Sequence, residues 1–156
     1  MKKSIQLSLF NVAEIQLYYR SKVPPSQRRK VASSRDAYEI LMQNWDENTI
    51  DYYEEFKILL LNRANSVFGI LPVSKGGVSG TVTDVRIILQ AALKANASGL
   101  IICHNHPSGN QSPSESDSRI TLKIKEAGNI MDIQLLDHLI ITSEDSYYSF
   151  ADNGCL

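Results

Sequence analysis

Apolar positions recur along this chain in two periods, about two and about three and a half, and the switches between them lay out its elements. Residues 12–20 (VAEIQLYYR) partly alternate and carry β-branched and aromatic side chains, which predicts a first strand. Residues 21–30 (SKVPPSQRRK) hold two prolines and a basic cluster and read as an exposed loop. Ser33 or Ser34 can cap a helix reaching to about Trp45. With Ser33 as the cap, Asp36 falls at the third helical position and makes a capping-box start. Glu54 to Leu61 is a largely apolar run, as expected of a buried strand, and Asn62 to Asn65 suits a hairpin turn into a strand from Ser66 to Leu71. Ser74 to Gly80 is a glycine-rich loop. Thr83 is the expected cap of a second helix, about Asp84 to Ala95, whose Val85, Ile88, Leu89 and Ala92 recur at helical spacing.

Gly99 to Cys103 reads as a short buried strand running into His104-Asn105-His106-Pro107-Ser108-Gly109. Ser114 can cap a third helix to about Ala127, with Gly128 suited to a left-handed C-terminal position. Three strands complete the chain: Asp132 to Leu136, His138 to Thr142, and Tyr147 to Phe150. The order β-α-β-β-α-β-α-β-β-β predicts an α/β fold of mixed α+β kind, a central mixed sheet flanked by helices. Residues 1–32 form an N-terminal strand and a basic, Pro-containing loop, and residues 33–156 the principal domain.

Composition narrows the function classes. A chain of 156 residues suits one domain, and 43% hydrophobic with 21% charged residues is ordinary for a globular protein. The formal net charge of -1 gives no global pull toward nucleic acid or anionic membrane, so Arg28-Arg29-Lys30 reads as a solvated loop. No apolar run approaches the roughly 20 residues of a membrane span. The lysines of the N-terminus precede apolar residues broken by Ser, Gln, Asn and Glu, unlike a signal peptide. Cys103 and Cys155 make no disulfide framework, and a reducing cytoplasm is the expected location; Cys103 reads as a buried thiol.

The chemistry concentrates at one strand end. His104 and His106 are two apart, so on a strand their side chains point the same way and can reach one ion. Asp117 lies in the first turn of the third helix, where a carboxylate is favoured, and the intervening loop can fold it back over the strand end. Two imidazoles and a carboxylate suit Zn2+ and leave a fourth position for water. A hydrolase also needs a base that is not a ligand. Glu54 and Glu55 open the apolar strand, and only one of them can face the site. Ser114 could donate to an oxyanion, though it also suits a cap, and Asp117 could be its capping partner. His138 reads as structural or as an orienting neighbour. A carboxylate such as Asp137 could in principle orient a metal ligand, but Asp137 is not counted among the site residues.

A glutamate followed at a distance by His-x-His-x(7)-Ser-x-x-Asp resembles the signature of the JAMM metalloproteases, the MPN-plus or JAB domain. LIICHNHPSGNQSPSESD, with LLDHLIIT and YYSFAD, is similar to the bacterial RadC-like branch over roughly residues 33 to 156. The resemblance implies a cytidine-deaminase-like JAB/MPN fold and zinc held by His104, His106 and Asp117. It implies Glu54, two residues before Phe56, as the base and Ser114 at the oxyanion position. It further implies hydrolysis of a peptide or isopeptide bond in a protein substrate by a metal-activated water. Full-length RadC proteins resemble a helix-hairpin-helix module fused ahead of this domain, and the residues before the matching region show no such pattern. The alternatives are a DNA-associated RadC-type protein, nuclease or repair-linked, and a non-catalytic JAB binding module. A nucleobase deaminase would need a Pro-Cys-x-x-Cys ligand pair, which the sequence lacks.

Overall fold

The computed structural model describes residues 16, 18–77 and 81–156. Of the strand expected over 12–20, residues 12–15 and 17 lie outside the described residues, and 16 and 18–20 form no regular element. A single 3-10 turn, Pro25–Gln27, interrupts the basic loop. Helix α1, Ser34–Met42, starts at Ser33 with the expected capping box. It stops three residues short of Trp45 because Asn44 and Trp45 turn back onto the carbonyls of Leu41 and Met42.

Strands β1 (Glu55–Leu61) and β2 (Val67–Lys75) form an antiparallel hairpin. In its turn, Asn62 Oδ1 accepts from the amides of Ala64 and Ser66, and Asn65 takes φ 55°. Strand β2 runs past Leu71 through Pro72 to Lys75, so Ser74 and Lys75 belong to a strand rather than to the glycine-rich loop; residues 78–80 of that loop lie outside the described residues. Proline is tolerated there because β2 is at the sheet edge. Helix α2, Val85–Lys94, is capped by Asp84, which accepts from Arg86 N, and not by Thr83 as expected.

Strand β3, Gly99–Asn105, continues two residues beyond Cys103, so His104 lies within it and His106 just past its end. Helix α3, Glu115–Ile130, outlasts Ala127. Gly128 therefore lies inside the helix, and Asp132, at φ 55°, makes the left-handed turn. A Cβ on Gly128 would stand 2.5 Å from the carbonyl oxygen of Ile133, so close backbone approach, not dihedral freedom, requires glycine there. The two strands expected over 132–142 are one, β4 (Gln134–Ile141), with a register slip at Leu136. Strand β5 is Tyr147–Ser149.

The sheet order is β2-β1-β3-β4-β5, with β3 and β4 parallel and every other pair antiparallel. Alternation along β3 splits the core in two. Ile101 and Cys103 pack with Tyr38 and Leu41 of α1, whereas Leu100 and Ile102 pack with Ile88 of α2 and Ile124 of α3. His104 continues the α2–α3 side of this alternation at the strand's C-terminal end.

Candidate metal centre

The centre forms where β3 ends against the start of α3. His104 is 1% exposed, and its ring lies parallel to that of Phe56, centroids 6.1 Å apart. His104 Nε2 stands 2.9 Å from His106 Nε2 and 3.2 Å from Asp117 Oδ1; His106 Nε2 is 3.7 Å from Asp117 Oδ2. One donor atom from each residue fits within a 4.8 Å group, the only such cluster of His, Cys, Asp and Glu among the described residues.

Local structure aims each donor. Gly109 takes φ 78° and its amide donates to the His106 carbonyl, folding the loop so that the Asn110 carbonyl meets His106 Nδ1 at 2.5 Å. A carbonyl only accepts, so His106 carries a proton on Nδ1 and turns Nε2 into the centre. Asp117 is held by the capping box of α3. Its Oδ2 accepts from Ser114 N at 2.7 Å and Ser114 Oγ at 2.6 Å, which leaves Oδ1 toward His104. Burial alone would raise the Asp117 carboxyl, but His104, His106 and the Ser114 hydroxyl outweigh it and hold the group far below the usual carboxylate range. The Asp117 carboxylate in turn raises the pKa of His106 against the effect of burial. Two imidazole nitrogens and a carboxylate oxygen this close demand positive charge between them, a proton or a cation. That donor set fits zinc.

The five residues singled out in the sequence share one cleft of ≈ 490 Å³. Glu54, His104, His106, Ser114 and Asp117 line it, together with Phe56, Ile120 and residues 81–83 ahead of α2. The two glutamates part company. Glu54 is half-buried on the cleft wall, whereas Glu55 is 3% exposed and bound to Lys57 Nζ at 3.1 Å and Lys75 Nζ at 3.3 Å. Burial would raise the Glu55 carboxyl, but the two lysines lower it below its ordinary value. Ser114 Oγ donates its one proton to Asp117, so an oxyanion role requires that proton to be re-aimed.

Asn105, His138 and Thr121 have structural parts here, and the sequence alone suggests no role for them or a vaguer one. Asn105, between the histidines, points to the opposite face. Its Oδ1 accepts from Glu55 N at 2.7 Å, and its Nδ2 donates to the carbonyls of Ile50 and Tyr53, which pins the segment that carries Glu54. The buried His138 places Nε2 2.9 Å from His104 Nδ1, and Thr121 Oγ1 lies 2.6 Å from His138 Nδ1. Asp137 touches none of the three clustered donors: its carboxylate accepts from Ser149 Oγ, Ala151 N and His138 N. The pleat, which sets neighbouring residues on opposite faces, is the signal that could have assigned Asn105 and separated Asp137 from His138. Among the described residues no helix is long and apolar enough to cross a membrane.

The chain matches the RadC-like JAB domain over residues 31–155. A UPF0758 protein of Flavobacterium johnsoniae is 49% identical over 126 residues, 81% of this chain and 53% of that protein. Another from Clostridium beijerinckii is 36% identical over 156 residues, 100% of this chain and 66% of that protein. A third, from Porphyromonas gingivalis, is 39% identical over 136 residues, 85% of this chain and 59% of that protein. The chain thus spans between about half and two thirds of the length of these curated relatives. The five-stranded mixed sheet with helices on both faces agrees with a JAB/MPN-like fold. With the family matched over nearly the whole described domain, the chain belongs to the RadC-like JAB domain family.

Proposed function

We propose that this chain is a zinc-dependent metallohydrolase that cleaves a peptide or isopeptide amide. The observation that carries this reading is the convergence of His104, His106 and Asp117 within 4.8 Å on the wall of a cleft that Glu54 also lines. Zinc, when bound, lowers the pKa of coordinated water to about 7 and polarises a carbonyl. Glu54, which is not among the clustered donors, takes a proton from the attacking water and returns it to the leaving amine. Phe56 and Ile120 give the cleft apolar wall, which limits water around that transfer. Ser114 keeps Asp117 ionised and oriented, and its hydroxyl reaches the developing oxyanion once it turns from Oδ2.

The test pairs metal analysis with turnover of a quenched peptide library and an isopeptide-linked substrate. About one zinc per chain is expected, and a His104→Ala, His106→Ala variant that keeps the ion would overturn the ligand set. Glu54→Gln should keep its zinc and lose activity by about 10²- to 10⁴-fold. Glu55→Gln should keep zinc while losing about 3 kcal/mol of stability, because it leaves the buried Lys57 without its partner. Cleavage of DNA by the same preparation, with no amide hydrolysed, would refute the peptidase reading in favour of a nuclease.

A further inference from the structure

Hydrogen-bond donors behind the centre follow one another without a choice. Thr121 Oγ1 lies 2.6 Å from the Asp117 carbonyl oxygen and 2.6 Å from His138 Nδ1. A carbonyl cannot donate, so the single hydroxyl proton goes to Asp117 O. Thr121 Oγ1 must then accept from His138, which places the His138 proton on Nδ1. The His138 ring has no exposed surface, lies parallel to Phe150 with centroids 4.6 Å apart, and has no carboxylate on either nitrogen. A fully buried ring so placed is neutral. Its Nε2 is therefore a bare acceptor, and His104 Nδ1, 2.9 Å away, must supply the proton.

That leaves His104 Nε2 with its lone pair directed at His106 and Asp117. The opposite tautomer would set two bare lone pairs against each other at 2.9 Å, in a place water cannot enter. We propose that His138, oriented by Thr121, is the positioning residue that fixes His104 as the Nδ1–H tautomer and so presents its Nε2 to the metal. The inference rests on the zinc reading above for its consequence, though not for its geometry. Thr121 sits one turn beyond Asp117 on α3 and hydrogen-bonds that residue's own carbonyl. One helix therefore delivers one ligand and, through two side chains, sets the proton of another. Such supporting hydrogen bonds raise ligand basicity and hold ring orientation.

Two readouts on the full chain test this. Long-range ¹H–¹⁵N spectra of the metal-free protein should show His104 and His138 both protonated on Nδ1. Zinc titrations against a chromophoric chelator should show Thr121→Val binding about 10- to 100-fold more weakly than wild type, with Thr121→Ser restoring the affinity. His138→Phe should weaken binding at least as much as Thr121→Val. If that variant does not fold, the valine and serine pair carries the test. A wild-type His104 that carries no proton on Nδ1, or wild-type affinity in Thr121→Val, would overturn the proposal. Wild-type protein that takes up no zinc would instead sink the metallohydrolase reading, and the spectra would still decide the tautomer.

Discussion

Helices α1 and α3 begin with the same device, and only one of the two beginnings is a candidate ligand. Ser33 and Asp36 form a capping box, as do Ser114 and Asp117. In both, the carboxylate Oδ2 accepts from the serine amide and hydroxyl: 2.9 and 3.0 Å at Asp36, 2.7 and 2.6 Å at Asp117. The other oxygen makes the difference. Asp36 Oδ1 has no hydrogen-bond partner among the described residues, whereas Asp117 Oδ1 stands 3.2 Å from His104 Nε2. A cap thus occupies one carboxylate oxygen and leaves the second for whatever the fold brings opposite. At α3 that is the end of β3 and its two histidines.

The largest divergence is expected on removing the charge. Asp117→Asn should weaken zinc binding by at least about 100-fold, more than the loss of an outer hydrogen bond would, and should abolish turnover. Asp36→Asn should leave metal affinity at the wild-type value and lower the urea midpoint, since it weakens the capping box of α1. Equal affinities in the two variants would erase the distinction between the boxes. Removing the serines gives a smaller contrast. Ser33→Ala and Ser114→Ala should each lose about 1 kcal/mol of stability, but only Ser114→Ala should also lose about 10-fold in zinc affinity, since Asp117 then loses its orienting hydroxyl.

The smallest effect lies in acid. Both carboxyls are held below their ordinary 3.8: Asp36 by the Ala32 amide and Ser33, and Asp117, despite burial, by the two histidines and Ser114. A depressed carboxyl stabilises the fold fully above its unfolded pKa, and that contribution drains away as pH falls through the folded value. Urea midpoints of the chelated wild type should therefore drop below about pH 3.8. Both gaps should begin to narrow there; the gap to Asp36→Asn should close first and the gap to Asp117→Asn only at lower pH, because the folded Asp117 carboxyl lies lower.

The centre was legible in the sequence because its parts are short-range. His104 and His106 share a strand end, and Asp117 follows a serine cap at fixed spacing, so period and capping rules reach all three. Glu54 and Glu55 could not be told apart by pattern alone. Which glutamate faces the cleft depends on Asn105 anchoring the Ile50–Tyr53 segment and on Lys57 and Lys75 holding Glu55, contacts some 50 residues or one strand away. His138 and Thr121 were obscure for the same reason: β4 lies beside β3 only through parallel pairing across the whole of α3. The errors at Thr83, Gly128 and Leu136 have local causes that propensity misses. Asp84 competes as a cap, the Ile133 carbonyl crowds Gly128, and a register slip reads as a strand break.

Cys103, next to His104, is turned by the pleat into the α1 side of the core, where burial pushes its thiol pKa up and keeps it protonated. The donor set is thereby all nitrogen and oxygen. Such ligands accept borderline divalent ions in general, so cobalt(II) should substitute and report the coordination number by its visible absorption. Oxidants that strip sulfur-bound zinc by attacking thiolate would find nothing here to attack.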